Sequence, residues 1–237
     1  MTTAAEIKNE ESLLAWLNAR PEKTRKQDAV TIACRAALRA LPLMAKDVER
    51  RAAESRDKLL FSSFRAISAS WLYAGSGSQD AEIAAAAAAR ATADADAAAA
   101  DAFWAAVRSD AEMIEGGGNP LGKPLWHDND PPPEITAAWP KLKAHLGGVH
   151  GENWWVWTDW YQRRLDGTPF SEPRDRAYVF LEKEDWDKNT PAEINADIAK
   201  QLALLIAAER PLGENIGIVS PEGQVGAVGL APTEPRS

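Results

Sequence analysis

The chain has 237 residues, a formal net charge of −8, one cysteine and ten tryptophans. That length accommodates one large domain or two small ones, with a core that needs neither disulfide nor metal. The acidic balance argues against nucleic acid and anionic membrane as partners, and no stretch approaches the roughly 18–20 consecutive apolar residues that span a bilayer.

The N-terminus, Met1-Thr2-Thr3-Ala4-Ala5-Glu6, lacks a basic start followed by an apolar run. No signal peptide is read there, and the cytoplasm is the expected compartment. Charge is uneven along the chain: residues 1–75 carry 13 Lys+Arg against 9 Asp+Glu, and residues 76–130 carry 3 against 10. A weak nucleic-acid face would need Lys23, Arg25, Lys26, Arg50 and Arg51 on one side.

The first helix opens at Asn9-Glu10-Glu11-Ser12, with acids in its first turn. Leu13, Leu14, Trp16 and Leu17 form its apolar side, and Arg20-Pro21 ends it. The charged run Pro21 to Lys26 reads as a connector. A second helix is expected from about Asp28 to Leu41, with Val30, Cys34, Ala37, Leu38 and Leu41 inward and Arg35 and Arg39 on the outer face. Cys34 reads as a small apolar core residue, and Pro42 as a break.

Asp47 to Tyr73 reads as one longer helix with a polar first half. Its second half presents Leu60, Phe61, Phe64, Ile67, Ser68, Trp71 and Leu72 on one face. After Gly75-Ser76-Gly77-Ser78 comes an alanine-rich helix from Asp80 to Glu115, about 54 Å if unbroken. Heptad leucines are missing, which speaks against a coiled coil. Asp94, Asp96, Asp101, Glu112 and Glu115 read as solubilising.

Gly116-Gly117-Gly118 is the next stop. The loop from Leu121 to Pro133 has Leu125 and Trp126 as anchors, and Ile135 to Leu146 reads as helical with Trp139, Leu142 and Leu146 inward. Four of the ten tryptophans then fall within residues 154–160. Helical spacing places Trp154, Trp157, Tyr161 and either Arg164 or Leu165 on one stripe, with Trp155 and Asp159 pointing away. Glu152 and Asn153 are assigned to the first turn and Gly167 to the position past the end, for about four turns. Core packing is the expected use of these indoles, Trp155 being the exception.

A short helix through Arg176 to Leu181 and a turn at Glu184-Asp185-Trp186-Asp187 come next. Thr190-Pro191-Ala192-Glu193 carries a capping-box signature. Its helix runs to about Glu209 on the stripe Ile194, Ile198, Leu202, Leu205 and Ile206. Ile216 to Val228 could form a hairpin.

Several segments in this order look familiar: Ile7-Lys8-Asn9 with Leu14-Ala15-Trp16-Leu17, Ala36 to Leu43, Pro124-Leu125-Trp126, Trp154 to Gly167, and Leu181 through Asp185-Trp186-Asp187-Lys188 into Ala192-Glu193-Ile194-Asn195. Together they resemble a group of uncharacterised alphaproteobacterial helical proteins, over roughly residues 7–209. The resemblance implies an N-terminal helical module followed by variable sequence, with the tail after Pro211 a linker toward a partner domain. It implies no catalytic residues.

Chemical motifs are scarce. His127, His145 and His150 form no H-x-x-x-H or H-E-x-x-H pair, so no metal site is expected. No G-x-S-x-G, G-x-x-x-x-G-K-[ST] or G-x-G-x-x-G occurs, so neither a catalytic nucleophile nor a cofactor is assigned. The sequence therefore points to an all-α, irregular multi-helix bundle with a Trp-rich core. Residues 1–210 form the helical domain, with a candidate subdomain boundary near 116–133, and residues 211–237 form a tail. A non-enzymatic module that binds a protein partner is the first functional expectation. An enzyme with a site near the aromatic helix is the second, and a weak nucleic-acid binder the third. The candidate binding residues are Trp155, Asp159, Arg163, Arg164, His127 and His150.

Overall fold

The computed structural model describes residues 2–50, 53–76, 97–127, 130–149, 151–179 and 190–209. It is all-α, with an aromatic cluster in its core and no strand among the described residues. The α-helices are α1 (Glu10–Ala19), α2 (Glu22–Ala40), α3 (Ala45–Arg50), α4 (Ala53–Ser76), α5 (Ala97–Glu115), α6 (Pro133–Gly147), α7 (Trp155–Leu165), α8 (Glu172–Arg176) and α9 (Pro191–Glu209). Short 3-10 turns at Ala4–Glu6, Leu41–Met44 and Pro120–Gly122 join them. The expected hairpin at 216–228, the turn at 184–187 and most of the alanine run lie outside the described residues.

Around α2 the sequence reading needs its largest correction. The run Pro21 to Lys26 is not a connector but the N-terminal cap and first turn of α2. Glu, Lys and Arg are good helix formers. Here the turn is also fixed by Asp28, which accepts from Thr24 at 3.1 Å and from Arg20 at 2.8 Å. From Val30 to Ala40 the helix is buried on every side, so it has no outer face. Arg35 and Arg39, expected outside, are fully buried. Packing of α4 and α5 on two sides of α2, with the 120–122 turn beside it, closes the face that the sequence assigned to solvent.

Of the expected helix over 47–73, the described residues form α3, which follows the 3-10 turn at Leu41–Met44, and α4, while residues 51–52 lie outside the described residues. The apolar face of α4 is as expected, with Leu60, Phe61, Phe64, Ile67, Ser68, Trp71 and Leu72 all buried. Leu14, expected inward on α1, is half exposed while Trp16 is buried.

The aromatic helix α7 is a turn shorter than its sequence suggests. Asn153 has a φ of +52° and Gly151 of +84°, so the backbone before Trp154 is left-handed and cannot belong to the helix. The stripe itself is as expected, with Trp154, Trp157, Tyr161 and Arg164 buried and Trp155 exposed. Trp157 is its hub. It stacks on Phe64 at 5.3 Å and meets Tyr178 at 5.2 Å and Phe61 edge-on at 6.1 Å. Trp139 of α6 lies 4.3 Å from Tyr161. Two indole N–H groups of this cluster are satisfied by side chains: Trp157 donates to Asn195 at 2.7 Å and Trp139 to Gln162 at 2.9 Å. Asn195, fully buried on α9, donates in turn to the Glu152 carbonyl at 2.8 Å. That bridge ties α9 to α7 through a polar residue on an otherwise apolar stripe.

The start of α9 is local chemistry. The Thr190 hydroxyl accepts from the Glu193 N–H, and the Glu193 carboxylate accepts from the Thr190 N–H at 2.7 Å. The bond from the Thr190 N–H, and a second from the Thr190 hydroxyl at 2.9 Å, hold the Glu193 carboxyl below its ordinary range. Thr190→Ala should cost about 1 kcal/mol in a urea melt. A change below roughly 0.3 kcal/mol would show that the cap contributes nothing. Farther along, Ile194, Ile198 and Leu202 are buried, but Ile206, expected on the same stripe, is 39% exposed.

Candidate functional site

Among the described residues, two buried charge clusters, a cleft and a groove are candidate places for chemistry or binding. The first cluster sits between α2, α5 and the loop that follows α5. Arg35 Nε donates to Asp110 Oδ1 at 2.9 Å, and Arg39 Nη2 pairs with Asp110 Oδ2 at 2.7 Å. His127 Nε2 lies 3.1 Å from Asp110 Oδ1. Arg35 spends its other donors on backbone: Nη1 on the carbonyls of Pro120 at 2.7 Å and Lys123 at 3.0 Å, Nη2 on Pro124 at 2.8 Å and Leu125 at 3.4 Å. Arg39 Nε and Nη2 both reach the Leu125 carbonyl, at 2.8 and 2.6 Å. The 120–125 loop is therefore wrapped around two guanidinium groups, each a planar fork of five donors.

Burial alone would raise the Asp110 carboxyl, but Arg39, the His127 hydrogen bond and Arg35 together hold it below its ordinary range. Arg39 is pulled down to about 10 by burial, with Asp110 opposing, so it stays charged at neutral pH. Every strong contact in this cluster is to the fold itself. Its chemistry is that of a clamp.

The second cluster joins α7 to α8. Arg164 pairs with Asp175, and its guanidinium lies 4.5 Å from the Trp160 ring and 4.9 Å from the Trp71 ring. Burial raises the Asp175 carboxyl, against Arg164 and hydrogen bonds from Trp160 and Trp71. Cys34 is buried nearby, its thiol 3.7 Å from the Ile67 carbonyl. Desolvation pushes that thiol up to about 12, against the pull of Arg164 and Arg35, so it is a packing group rather than a thiolate.

Asp175 also lines a cleft of about 190 Å³ together with Trp71, Leu72, Leu121, Gly122, Pro169, Phe170 and Glu172. A second, more open hollow of about 480 Å³ lies between α8 and α9, walled by Pro173, Arg176, Ala177, Gln201, Leu204 and Leu205. Its lining is mostly apolar, and Leu204 is 64% exposed.

The residues singled out from sequence do not converge. Asp159 and Arg163 form a half-exposed ion pair at 3.2 Å on the surface of α7. Trp155 stands 51% exposed at the start of that helix. Arg164 belongs to the second cluster and His127 to the first, while His150 lies outside the described residues. Lys23, Lys26 and Arg50 are exposed and Arg25 is half-buried with a bond to the Arg20 carbonyl, while Arg51 also lies outside. Two cations counted in the weakly basic N-terminal third, Arg35 and Arg39, are interior and add nothing to a surface potential. Among the described residues no three metal-binding side chains gather, and no helix is long and apolar enough to cross a membrane.

Sequence reasoning missed Arg35, Arg39, Asp110 and Asp175. Only one signal was available: two arginines four apart in the stretch 29–41, whose remaining residues are almost all apolar. Comparison of the chain with protein-family models, with curated proteins and with solved structures gives no match.

Proposed function

We propose that this chain is a cytoplasmic, non-enzymatic protein-interaction module whose docking surface is the α8–α9 groove. The observation that carries the reading is the end of α9. Residues Ala203-Leu204-Leu205-Ile206-Ala207-Ala208 make its last turns apolar on all sides, a pattern that belongs to a covered helix. Leu204 and Ile206 nevertheless face solvent beside an open apolar groove. The buried ion pairs at Asp110 and Asp175 hold elements of the fold together, which favours a structural over a catalytic reading of those charges.

The groove suits an amphipathic helix from another protein, with apolar anchors along Leu204, Leu205 and Ala177. Lys200, exposed one turn before Leu204, favours an acidic residue on the flank of that helix.

The test compares partner capture from native lysate by the wild type, Leu204→Asp, Trp155→Ala and Arg163→Ala. Leu204 and Trp155 are exposed and Arg163 sits in a half-exposed surface ion pair, so stability should stay within about 1 kcal/mol of wild type. Capture should be lost in Leu204→Asp and kept in the other two. Equal capture by all four proteins, or no specific capture by the wild type, would remove the groove from consideration.

A further inference from the structure

The cleft beside α8 is a separate feature from the groove, and its walls carry a specific chemistry. Trp71 and Phe170 supply two rings, Leu72, Leu121 and Pro169 supply aliphatic surface, and among the described residues Glu172 and Asp175 are its ionisable lining groups. Asp175 is about nine-tenths buried. It accepts from Arg164, Trp160 and Trp71. A carboxylate offers about four acceptor sites, so these three donors leave capacity for one more, and Asp175 lines the cleft.

The surroundings are electrically balanced. Four arginines cluster around Phe170 and α8, and each has its own carboxylate: Arg163 with Asp159, Arg164 with Asp175, Arg174 with Glu209 and Arg176 with Glu172. A full charge of either sign brought into the cleft would find no unmatched counter-charge, and desolvating it would be costly. At about 190 Å³ the space is below the usual range for drug-sized ligands and suits a single ring system.

We propose that this cleft binds a small, flat, uncharged ring compound carrying an N–H donor, packed against Trp71 and Phe170 with its donor on Asp175. Aromatic walls favour offset or edge-on contact with a flat partner, and one buried acceptor fixes its orientation. This site is independent of the α8–α9 groove, so either can fail without the other.

Benzamide is the probe, with benzoate and benzamidine as its anionic and cationic counterparts. Binding is read from the indole N–H resonance of Trp71, assigned by its loss in Trp71→Phe. Gly122→Leu is the plugged control: Gly122 lines the cleft, and a Cβ added there meets nothing within 4 Å, so the fold should stay intact. Benzamide should shift the Trp71 signal saturably with a midpoint of roughly 0.1–10 mM, as for a ring-sized fragment. Gly122→Leu should weaken that midpoint at least about tenfold with an unchanged melting temperature, and benzoate and benzamidine should bind at least about tenfold more weakly. An unresponsive Trp71, or the same midpoint in Gly122→Leu, would overturn the site. Tighter binding of either charged compound would overturn the uncharged ligand class.

Discussion

Replacing Asp110 with alanine is expected to destabilise the protein by about 3–5 kcal/mol, the cost of leaving buried charge without its partner. Asp110 is the single carboxylate between Arg35 and Arg39, and all three side chains are fully buried. Its removal leaves two buried cations with the loop carbonyls and the Trp126 ring but no carboxylate. Asp110→Asn should be nearly as damaging, because it keeps the shape but turns an amide toward one guanidinium. Urea unfolding gives the number, and hydrogen exchange of the Leu125 amide, which donates to the Leu165 carbonyl at 3.2 Å, locates the damage. That amide should lose protection before the core amides of α7 do. A loss below about 1 kcal/mol in Asp110→Ala would mean that the loop carbonyls alone neutralise the arginines.

The same carboxylate sets an acid limb. Its folded value lies below its unfolded one, near 3.9, so its contribution is whole above about pH 4 and is lost as pH falls through the folded value. Wild-type stability should therefore drop below pH 4 more steeply than that of Asp110→Asn. Superimposable acid limbs in the two proteins would show that Asp110 is not the group responsible.

The clamp also shows where reading a sequence stops. Local devices were legible: the Thr190–Glu193 cap, the glycine stops after α5 and α7, and the indole stripe at helical spacing. Each needs only residues within a few positions of one another. The burial of Arg35 and Arg39 depends on Asp110 and on carbonyls 85–90 positions away. A helical wheel assigns charge to solvent, and from Val30 to the end of α2 no solvent side exists. Asp110 carries no mark that separates it from Glu112 or Glu115 on the same helix until α2 is packed against it. Asn195 is a similar case. It lies on the apolar stripe of α9 and looks like an interruption, yet it is the acceptor that a buried Trp157 requires. The cleft at Asp175 was invisible for another reason. Its walls come from α4, the 120–122 turn and the 169–175 segment, which no periodicity connects.

Gly167→Ala should cost about 3–5 kcal/mol, against about 1–2 for the matched change Gly117→Ala. Both glycines close helices in the same way, with φ of +71° and +80°. After each, the chain forms paired 6→1 and 5→2 hydrogen bonds: Gly118 N–H to Met113 and Gly117 N–H to Ile114, Thr168 N–H to Arg163 and Gly167 N–H to Arg164. The left-handed strain is thus common to the two sites. The surroundings differ. A methyl group at Gly117 meets nothing within 4 Å, whereas one at Gly167 would lie 2.7 Å from the Lys123 carbonyl carbon and closer still to the Pro124 nitrogen. Those are backbone atoms of the loop held by Arg35 and Arg39, so relief at Gly167 means withdrawing carbonyls from buried guanidinium groups. It follows that Gly167→Ala and Asp110→Asn should be less than additive, by about 0.5–3 kcal/mol in a double-mutant cycle, since each loosens what the other needs. Equal costs at the two glycines, or strict additivity with Asp110→Asn, would mean that the Pro124 contact can yield without disturbing the clamp.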